Sequence, residues 1–181
     1  RLDWLKRAGL EPALIDVDAV ALANAFLASG NGRKAEGARV LLNIGAQLTN
    51  LVIFKGEVPY LIRDIPWGGE KLARYTAEHL GVEVEAAGKE LAQDAPRPEV
   101  LNAMKLAAES LVTELQLSFD YFENRFGQPP DELLVSGGVS QSAGFLEALK
   151  SHLTQPVSGW SPTAGLSGQS TIAYGLALRS Y

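Results

Sequence analysis

The chain contains short apolar runs typical of strands and longer periodic apolar patterns typical of helices. Three runs rich in β-forming residues follow one another closely, at residues 40–44, 48–54 and 58–65. Lys55, Gly56 and Glu57 separate the last two runs by the length of a tight hairpin. The pattern therefore predicts three antiparallel neighbours rather than a strand–helix–strand unit.

A long helix is predicted over residues 99–126. Its apolar residues recur every three or four positions, which is typical of a helix that lays one face against a core. They are Leu101, Met104, Ala108, Leu111, Leu115, Phe119, Phe122 and Phe126. Shorter helices are predicted over residues 1–8, 19–28, 69–79, 84–92, 141–152 and 170–178, with Asp18 as the N-cap of the second.

Further strands are predicted at residues 10–17, 133–135 and 156–157. A helical crossover separates residues 133–135 from residues 40–44, so these two strands should pair in parallel. The order of elements predicts an α/β fold, in which a mixed sheet is flanked by helices and its antiparallel part lies at one edge.

Composition and charge narrow the class of protein. The 181 residues are 46% hydrophobic and 20% charged, as expected of a globular protein with a sizeable core. The chain has no cysteine and two histidines, which excludes disulfides, Cys-based metal sites and multi-histidine metal sites. A net charge of −5 disfavours nucleic-acid binding, and no apolar run is long enough to cross a bilayer. Because the chain begins at Arg1 and not at Met, we expect it to be part of a longer protein.

Two glycine turns are candidates for ligand binding. Gly45 and Ala46 follow the first predicted strand, with Thr49 shortly after, and Gly137-Gly138 follows the strand at residues 133–135. Glycine lets backbone amides approach an anion closely, and a helix N-terminus adds free amides. Taken singly, each motif is also what an ordinary turn contains.

A third turn has the same layout. Gly68 and Gly69 lead from the third predicted strand into a helix that begins with Glu70 and Lys71. An ordinary helix start with an acidic residue in its first turn explains this segment as well. The order of all three turns along the chain distinguishes the sequence from one with scattered glycines.

Four segments together carry a resemblance to a known superfamily. In this chain they read LLNIGAQLTNLVIFKGEVPYLIRDIPWGGEKL, AGLEPALIDVDAVALANAF, LLVSGGVSQSAGFLEALKSHL and AYGLALRSY. Their motifs and order resemble the second large lobe of the actin, DnaK, FtsA and PilM superfamily, and the PilM pattern most closely. The resemblance implies an actin-like ATPase (ribonuclease H-like) lobe. It also implies that residues 1–34 end the first lobe and form a connecting helix, that residues 35–181 form the second lobe, and that residues 68–98 form a short inserted subdomain.

The resemblance also implies a nucleotide site. Its predicted residues fall on the second phosphate loop, on the adenosine loop and at the start of the helix that borders the nucleotide. They are Asn43, Gly45, Ala46 and Thr49, then Gly137, Gly138 and Val139, and finally Gly69, Glu70 and Lys71. The implied ligand is ATP. The chain departs from the family pattern at Asn43, where relatives carry an Asp that holds the hydration shell of Mg²⁺. An amide supplies no charge for that purpose, so at most a weak ATPase is expected.

The implied function is that of a PilM-like scaffold in type IV pilus assembly. Its expected partner is the cytoplasmic tail of an inner-membrane pilus protein, and its expected location is cytoplasmic and peripheral at the inner membrane. No nucleic acid and no direct membrane insertion are expected, and self-association stays open. Three alternatives also remain: an FtsA-like cytoskeletal protein, an active phosphotransferase such as a sugar kinase, and a pure protein-interaction domain.

Two geometric expectations test this interpretation. The turns at Gly45 and Gly137-Gly138 should lie together at one edge of the sheet, where parallel strands end. Because side chains alternate along a strand, Asn43 should face the same cleft as these loops.

Overall fold

The computed structural model describes residues 2–11, 14–30 and 37–179. Its strands are β1 (Ala38–Ile44), β2 (Thr49–Lys55), β3 (Val58–Ile65), β4 (Glu132–Ser136) and β5 (Val157–Gly159). Its helices are α1 (Leu2–Arg7), α2 (Asp18–Ala28), α3 (Gly69–Leu80), α4 (Val84–Leu91), α5 (Pro98–Phe126), α6 (Ala143–Lys150) and α7 (Thr171–Ala177). Two short 3-10 turns span Gly138–Gln141 and Gly168–Ser170.

The strands form one mixed sheet in the order β3-β2-β1-β4-β5. β1 pairs antiparallel with β2, which pairs antiparallel with β3, whereas β4 is parallel to both β1 and β5. This topology confirms the predicted antiparallel neighbours, the parallel strand at residues 133–135 and the placement of the antiparallel part at one edge.

The two faces of the sheet are covered by different helices. Val40, Leu42 and Ile44 of β1 belong to the larger apolar core beneath α5, whereas Leu41 belongs to the smaller core beneath α2. Strands buried on both faces carry nearly continuous apolar runs rather than alternating ones, and β1 and β2 do so. Edge strand β3 is buried only at Ile65.

Helix α5 confirms the predicted core-facing helix. Most of the predicted apolar face is buried in the larger core, and Leu101 and Phe126 at its ends are partly buried against it. The helix begins with Pro98, whose fixed φ suits the first turn, and it ends at Phe126, followed by the C-cap Gly127 in the left-handed conformation.

The predicted strand at residues 10–17 is wrong for its described part. Leu10, Glu11 and residues 14–17 have no regular structure, and residues 12 and 13 lie outside the described residues. Leu14 and Ile15 are 51% and 74% exposed. Among the described residues, no strand pairs with this segment, and a strand without a partner leaves its backbone groups unsatisfied.

Two helix starts also differ from the prediction. Val17, not Asp18, is the N-cap of α2, so the charge of Asp18 lies in the first turn, where it favours the helix dipole. The predicted helix over residues 141–152 begins only at α6, after a 3-10 turn, because Ser142 caps it by accepting from the amide of Phe145. The proposed boundary near residue 34 lies outside the described residues and stays a prediction.

Candidate functional site

The carboxyl ends of β1 and β4 lie side by side. These strands are parallel, with Asn43 opposite Ser136, so the loops that follow them leave the sheet at the same edge. The start of α3 joins them there, because the amides of Gly69 and Glu70 donate to the carbonyls of Gly45 and Ala46 at 2.9 and 2.8 Å. The predicted position of the two glycine turns is confirmed.

A cleft of about 760 Å³ opens between these loops. Among its lining residues are eight predicted site residues: Asn43, Gly45, Ala46, Gly69, Glu70, Gly137, Gly138 and Val139. The structure therefore brings together segments almost one hundred residues apart, since Asn43 and Ser136 differ by 93 positions.

Two predicted residues do not line the cleft. Thr49 is fully buried and its hydroxyl donates to the carbonyl of Trp67 at 2.8 Å, so it ties β2 to the entry of α3. Lys71 is exposed on α3, and its amide donates to the carbonyl of Gly68. The sequence pattern places both beside the loops, but the direction of their side chains depends on tertiary contacts.

Other lining residues were missed by sequence reasoning. They are Ala73, Arg74, Val84, Gln169 and Ile172. Arg74 carried a usable signal, because it lies four residues after Glu70 and so shares its helix face. Gln169 and Ile172 come from the far end of the chain, and no local pattern connects them to the cleft.

Glycine is required at Gly137 for two reasons. Its φ is 91°, which side-chain-bearing residues rarely adopt. A Cβ at this position would also lie closer than 3.0 Å to the backbone of Ile44. The loop at Gly137-Gly138 therefore lies directly against the end of β1, and this close approach shapes the floor of the cleft.

Backbone amides of the two loops are available to a ligand. The amides of Gly69 and Glu70, at the start of α3, already donate to the carbonyls of Gly45 and Ala46, so they are not free donors. Within the described part of the chain, the amides of Ala46, Gly138 and Val139 have no acceptor. Amides of this kind are suited to an anion such as a phosphate.

Asn43 is held by its neighbours rather than free in the cleft. It is only 8% exposed, and its Nδ2 donates to Oδ1 of Asn50 at 3.2 Å. Asn50 in turn donates to Oδ1 of Asp64 at 2.8 Å, and the hydroxyl of Ser136 lies 3.4 Å from Oδ1 of Asn43. Asn43 thus lines the cleft as predicted, with its amide fixed in a hydrogen-bonded row.

Charged groups in the cleft are few. Glu70 is the acidic residue of its lining, and it accepts from Nε2 of Gln47 at 3.1 Å. Among the described residues, no group of three or more His, Cys, Asp or Glu side chains is arranged to hold a metal ion. The described side chains of the cleft therefore do not fit direct coordination of Mg²⁺. In the same part of the chain, no helix is both long and apolar enough to cross a bilayer.

Replacing Asn43 by Asp is expected to lower the free energy of unfolding by about 1–3 kcal/mol. A carboxylate cannot donate to Oδ1 of Asn50, so two acceptors would face each other in a buried position. Adding Asp64→Asn should restore most of this loss, because the new amide at position 64 donates to Asn50, which then donates to the new carboxylate at position 43. Urea unfolding of both single variants and the double variant measures this coupling. Additive effects of the two substitutions would contradict it.

Solved structures with the same fold are actin-like proteins. The chain superposes on one chain of a structure described as a PilM-PilN type IV pilus biogenesis complex, with a TM-score of 0.81 and 23% sequence identity. The match covers 98% of this chain and 55% of that chain. For the ethanolamine utilization protein EutJ from Carboxydothermus hydrogenoformans, the TM-score is 0.74 and the identity is 18%, with 96% of this chain and 57% of that chain covered. For MreB5 of Spiroplasma citri bound to ADP, the TM-score is 0.61 and the identity is 16%, with 97% of this chain and 62% of that chain covered. These likenesses confirm the predicted actin-like fold. The chain spans little more than half the length of these relatives.

The family is decided by a match over the whole chain. No match is found among curated proteins. The model of the family described as type IV pilus assembly protein PilM matches residues 1–181, which confirms the resemblance inferred from the four sequence segments. This chain belongs to the PilM family of type IV pilus assembly proteins.

Proposed function

We propose that this chain is the nucleotide-binding lobe of a scaffold protein in type IV pilus assembly, which binds ATP and hydrolyses it slowly if at all. The cleft at the carboxyl ends of β1 and β4 carries this proposal. Ligands of open α/β sheets bind at that edge, and a volume of about 760 Å³ suits a small organic ligand.

The chemistry of the cleft supports a phosphate-containing ligand. The amides of Ala46, Gly138 and Val139 supply donors without charge, and the glycines leave room for close approach. Arg74 adds a positive charge to the lining, opposite in sign to Glu70. Apolar side chains such as Val84 and Ile172 offer a surface for the flat base.

Slow hydrolysis is proposed because no carboxylate stands at position 43. Bound Mg²⁺ would supply charge neutralisation to the phosphates, but Asn43 contributes only a neutral amide that is already engaged with Asn50. The variant with Asn43→Asp and Asp64→Asn together should hydrolyse ATP faster than the wild type while its ATP affinity stays within a few-fold.

The proposed partner is the cytoplasmic tail of an inner-membrane pilus protein, which would hold the protein peripherally at that membrane. The solved PilM relative is described in a complex with PilN, and this supports a partner of the same kind. Leu10, Leu14, Ile15 and Val17 expose apolar surface before α2 and are candidates for contacts outside this lobe. Self-association remains compatible with the same surface.

A titration of the full-length protein with a fluorescent ATP analogue tests nucleotide binding. Gly138→Asp places a carboxylate in the cleft, where a Cβ meets no atom within 4 Å, and should raise the Kd at least about tenfold by repelling phosphate. Asn124→Asp makes the same charge change at an exposed position of α5 and should leave the Kd unchanged.

The outcomes separate the candidate functions. Absence of binding by the full-length wild type would reject the nucleotide site and favour the pure protein-interaction domain. Rapid Mg²⁺-dependent hydrolysis by the wild type would instead favour the phosphotransferase alternative, since a scaffold does not need turnover.

A further inference from the structure

One open edge of the sheet is formed by β3. Among the described strands β3 pairs only with β2, so the backbone groups on its outer side face no further strand there. Edge strands are normally protected against further pairing by proline, bulges or lysine. Pro59 and a register shift between Pro59 and Leu61 protect the first half of β3. Residues 61–65 contain none of these devices, so this half of the strand is open to pairing.

The flank of α5 beside this edge exposes apolar side chains. Arg63 of β3 donates to the carbonyl of Glu114 at 3.1 Å and to the hydroxyl of Ser118 at 3.0 Å. Leu117 and Tyr121 each follow one of these two helix residues by three positions, so they lie on the same side of α5. They are 56% and 62% exposed. Leu117 and Tyr121 therefore form an uncovered apolar strip along the open edge of the sheet.

The apolar strip and the unprotected half of β3 lie at the same level. The rings of Tyr60 and Phe126 are in contact, with centroids 4.7 Å apart, and Arg63 contacts α5 further toward its N-terminus. Ile62 lies between these two contacts along β3, and hence beside the apolar strip. It is 49% exposed on the other face of the sheet, because it pairs with Val52 of the smaller core.

We propose that β3 pairs antiparallel with β3 of a second copy of this protein, about a two-fold axis through Ile62. Such an axis is perpendicular to the sheet, so it continues the sheet across the junction and keeps α5 and its copy on the same face, in opposite directions. Ile62 then meets Ile62 of the second copy on one face, and the two apolar strips meet on the other. One interface thus covers both exposed apolar features.

The residues of β3 select this register. Residues directly opposite each other in an antiparallel pair point to the same face, where like charges are unfavourable. An axis through Arg63 or Asp64 would place that charge opposite its own copy. An axis through Leu61 would place Pro59, which lacks an N–H group, opposite Arg63 within the pair. An axis through Ile62 instead places Arg63 opposite Leu61 of the second copy and leaves Pro59 at the end of the pair.

Charges on the flank of α5 fit the same arrangement. Arg125 is exposed four residues after Tyr121, on the same side of the helix, and it forms no ion pair with any described residue. If Leu117 of one copy lies opposite Tyr121 of the other, Glu114 of the first copy lies beside Arg125 of the second. The two-fold axis makes this contact twice. The flank is therefore complementary to itself, as an interface between identical copies requires.

Ile62→Lys in the full-length protein tests the interface. Sedimentation over a concentration series should show a monomer–dimer equilibrium for the wild type, and the substitution should raise the dimer Kd at least about tenfold because two ammonium groups meet at the axis. Val82→Lys makes the same change at an exposed position after α3 and should keep the wild-type Kd. A wild type that stays monomeric, with β3 covered by another segment or another protein, would overturn the proposal. A dimer that Ile62→Lys does not weaken would overturn it as well.

Ile62→Cys tests the position of the axis. Pairing about Ile62 brings the two substituted residues together with Cβ atoms about 4.5–5.5 Å apart, from which a small adjustment forms a disulfide. The 181 residues contain no cysteine, and any cysteine elsewhere in the full-length protein is replaced by serine. Oxidation should give a covalent dimer of Ile62→Cys and leave Val82→Cys monomeric on a denaturing gel. Failure of Ile62→Cys to cross-link would contradict the pairing even if Ile62→Lys did not fold, and neither test depends on the proposed nucleotide site.

Discussion

Gly175→Ala is expected to lower the free energy of unfolding by about 2–3 kcal/mol, the cost of inserting a group into a closely packed contact. Gly175 is buried in α7, where a Cβ would lie closer than 3.0 Å to the carbonyl carbon and oxygen of Ala21 in α2. The obstructing atoms are backbone atoms, so they cannot turn away as a side chain would. The two helices would have to separate, which would loosen the smaller core.

Gly88→Ala is the matched control for this substitution. Gly88 lies within α4, and a Cβ there meets no atom within 4 Å. Alanine is the better helix former, so this variant should gain about 0.5–1 kcal/mol. Urea unfolding of both variants gives the comparison. If Gly175→Ala were as stable as Gly88→Ala, the close approach of α2 and α7 would be incorrect.

Gly137→Ala is expected to lower the free energy of unfolding by about 3 kcal/mol and, if the proposed nucleotide site is correct, to raise the Kd of the fluorescent ATP analogue at least about tenfold. The left-handed backbone contributes roughly 1–2 kcal/mol, and the overlap with Ile44 adds a packing cost of similar size. Relief of this overlap moves the loop away from the end of β1. The amides of Gly138 and Val139 would then no longer face the loop at Gly45 and Ala46 across the cleft.

Gly165→Ala separates backbone strain from the steric overlap. Gly165 also has a positive φ, of 81°, but a Cβ there meets no atom within 4 Å. It should lose only the roughly 1–2 kcal/mol of strain and keep the Kd of the fluorescent ATP analogue. Equal losses of stability and affinity in the two variants would contradict the role of Gly137 in shaping the cleft.

The strand and helix pattern could be predicted because its signals are local. β1, β2 and β3 follow from β-forming runs joined by a short turn, and α5 from apolar residues that repeat every three or four positions. The glycine turns were also visible, since glycine marks places where the backbone adopts conformations closed to other residues. Eight of the ten predicted site residues line the cleft because the loops that carry them leave parallel strands at one edge.

The roles of particular side chains depended on contacts between distant segments. Thr49 faces Trp67, and residues 14–17 remain without a strand, because the available partners are set by the sheet as a whole. In the sequence, Asn43 indicated only that an amide stands where the resemblance implies a carboxylate. Only the register of the strands shows that its amide donates to Asn50, which in turn donates to Asp64, since hydrogen bonding across a sheet joins residues that the sequence keeps far apart.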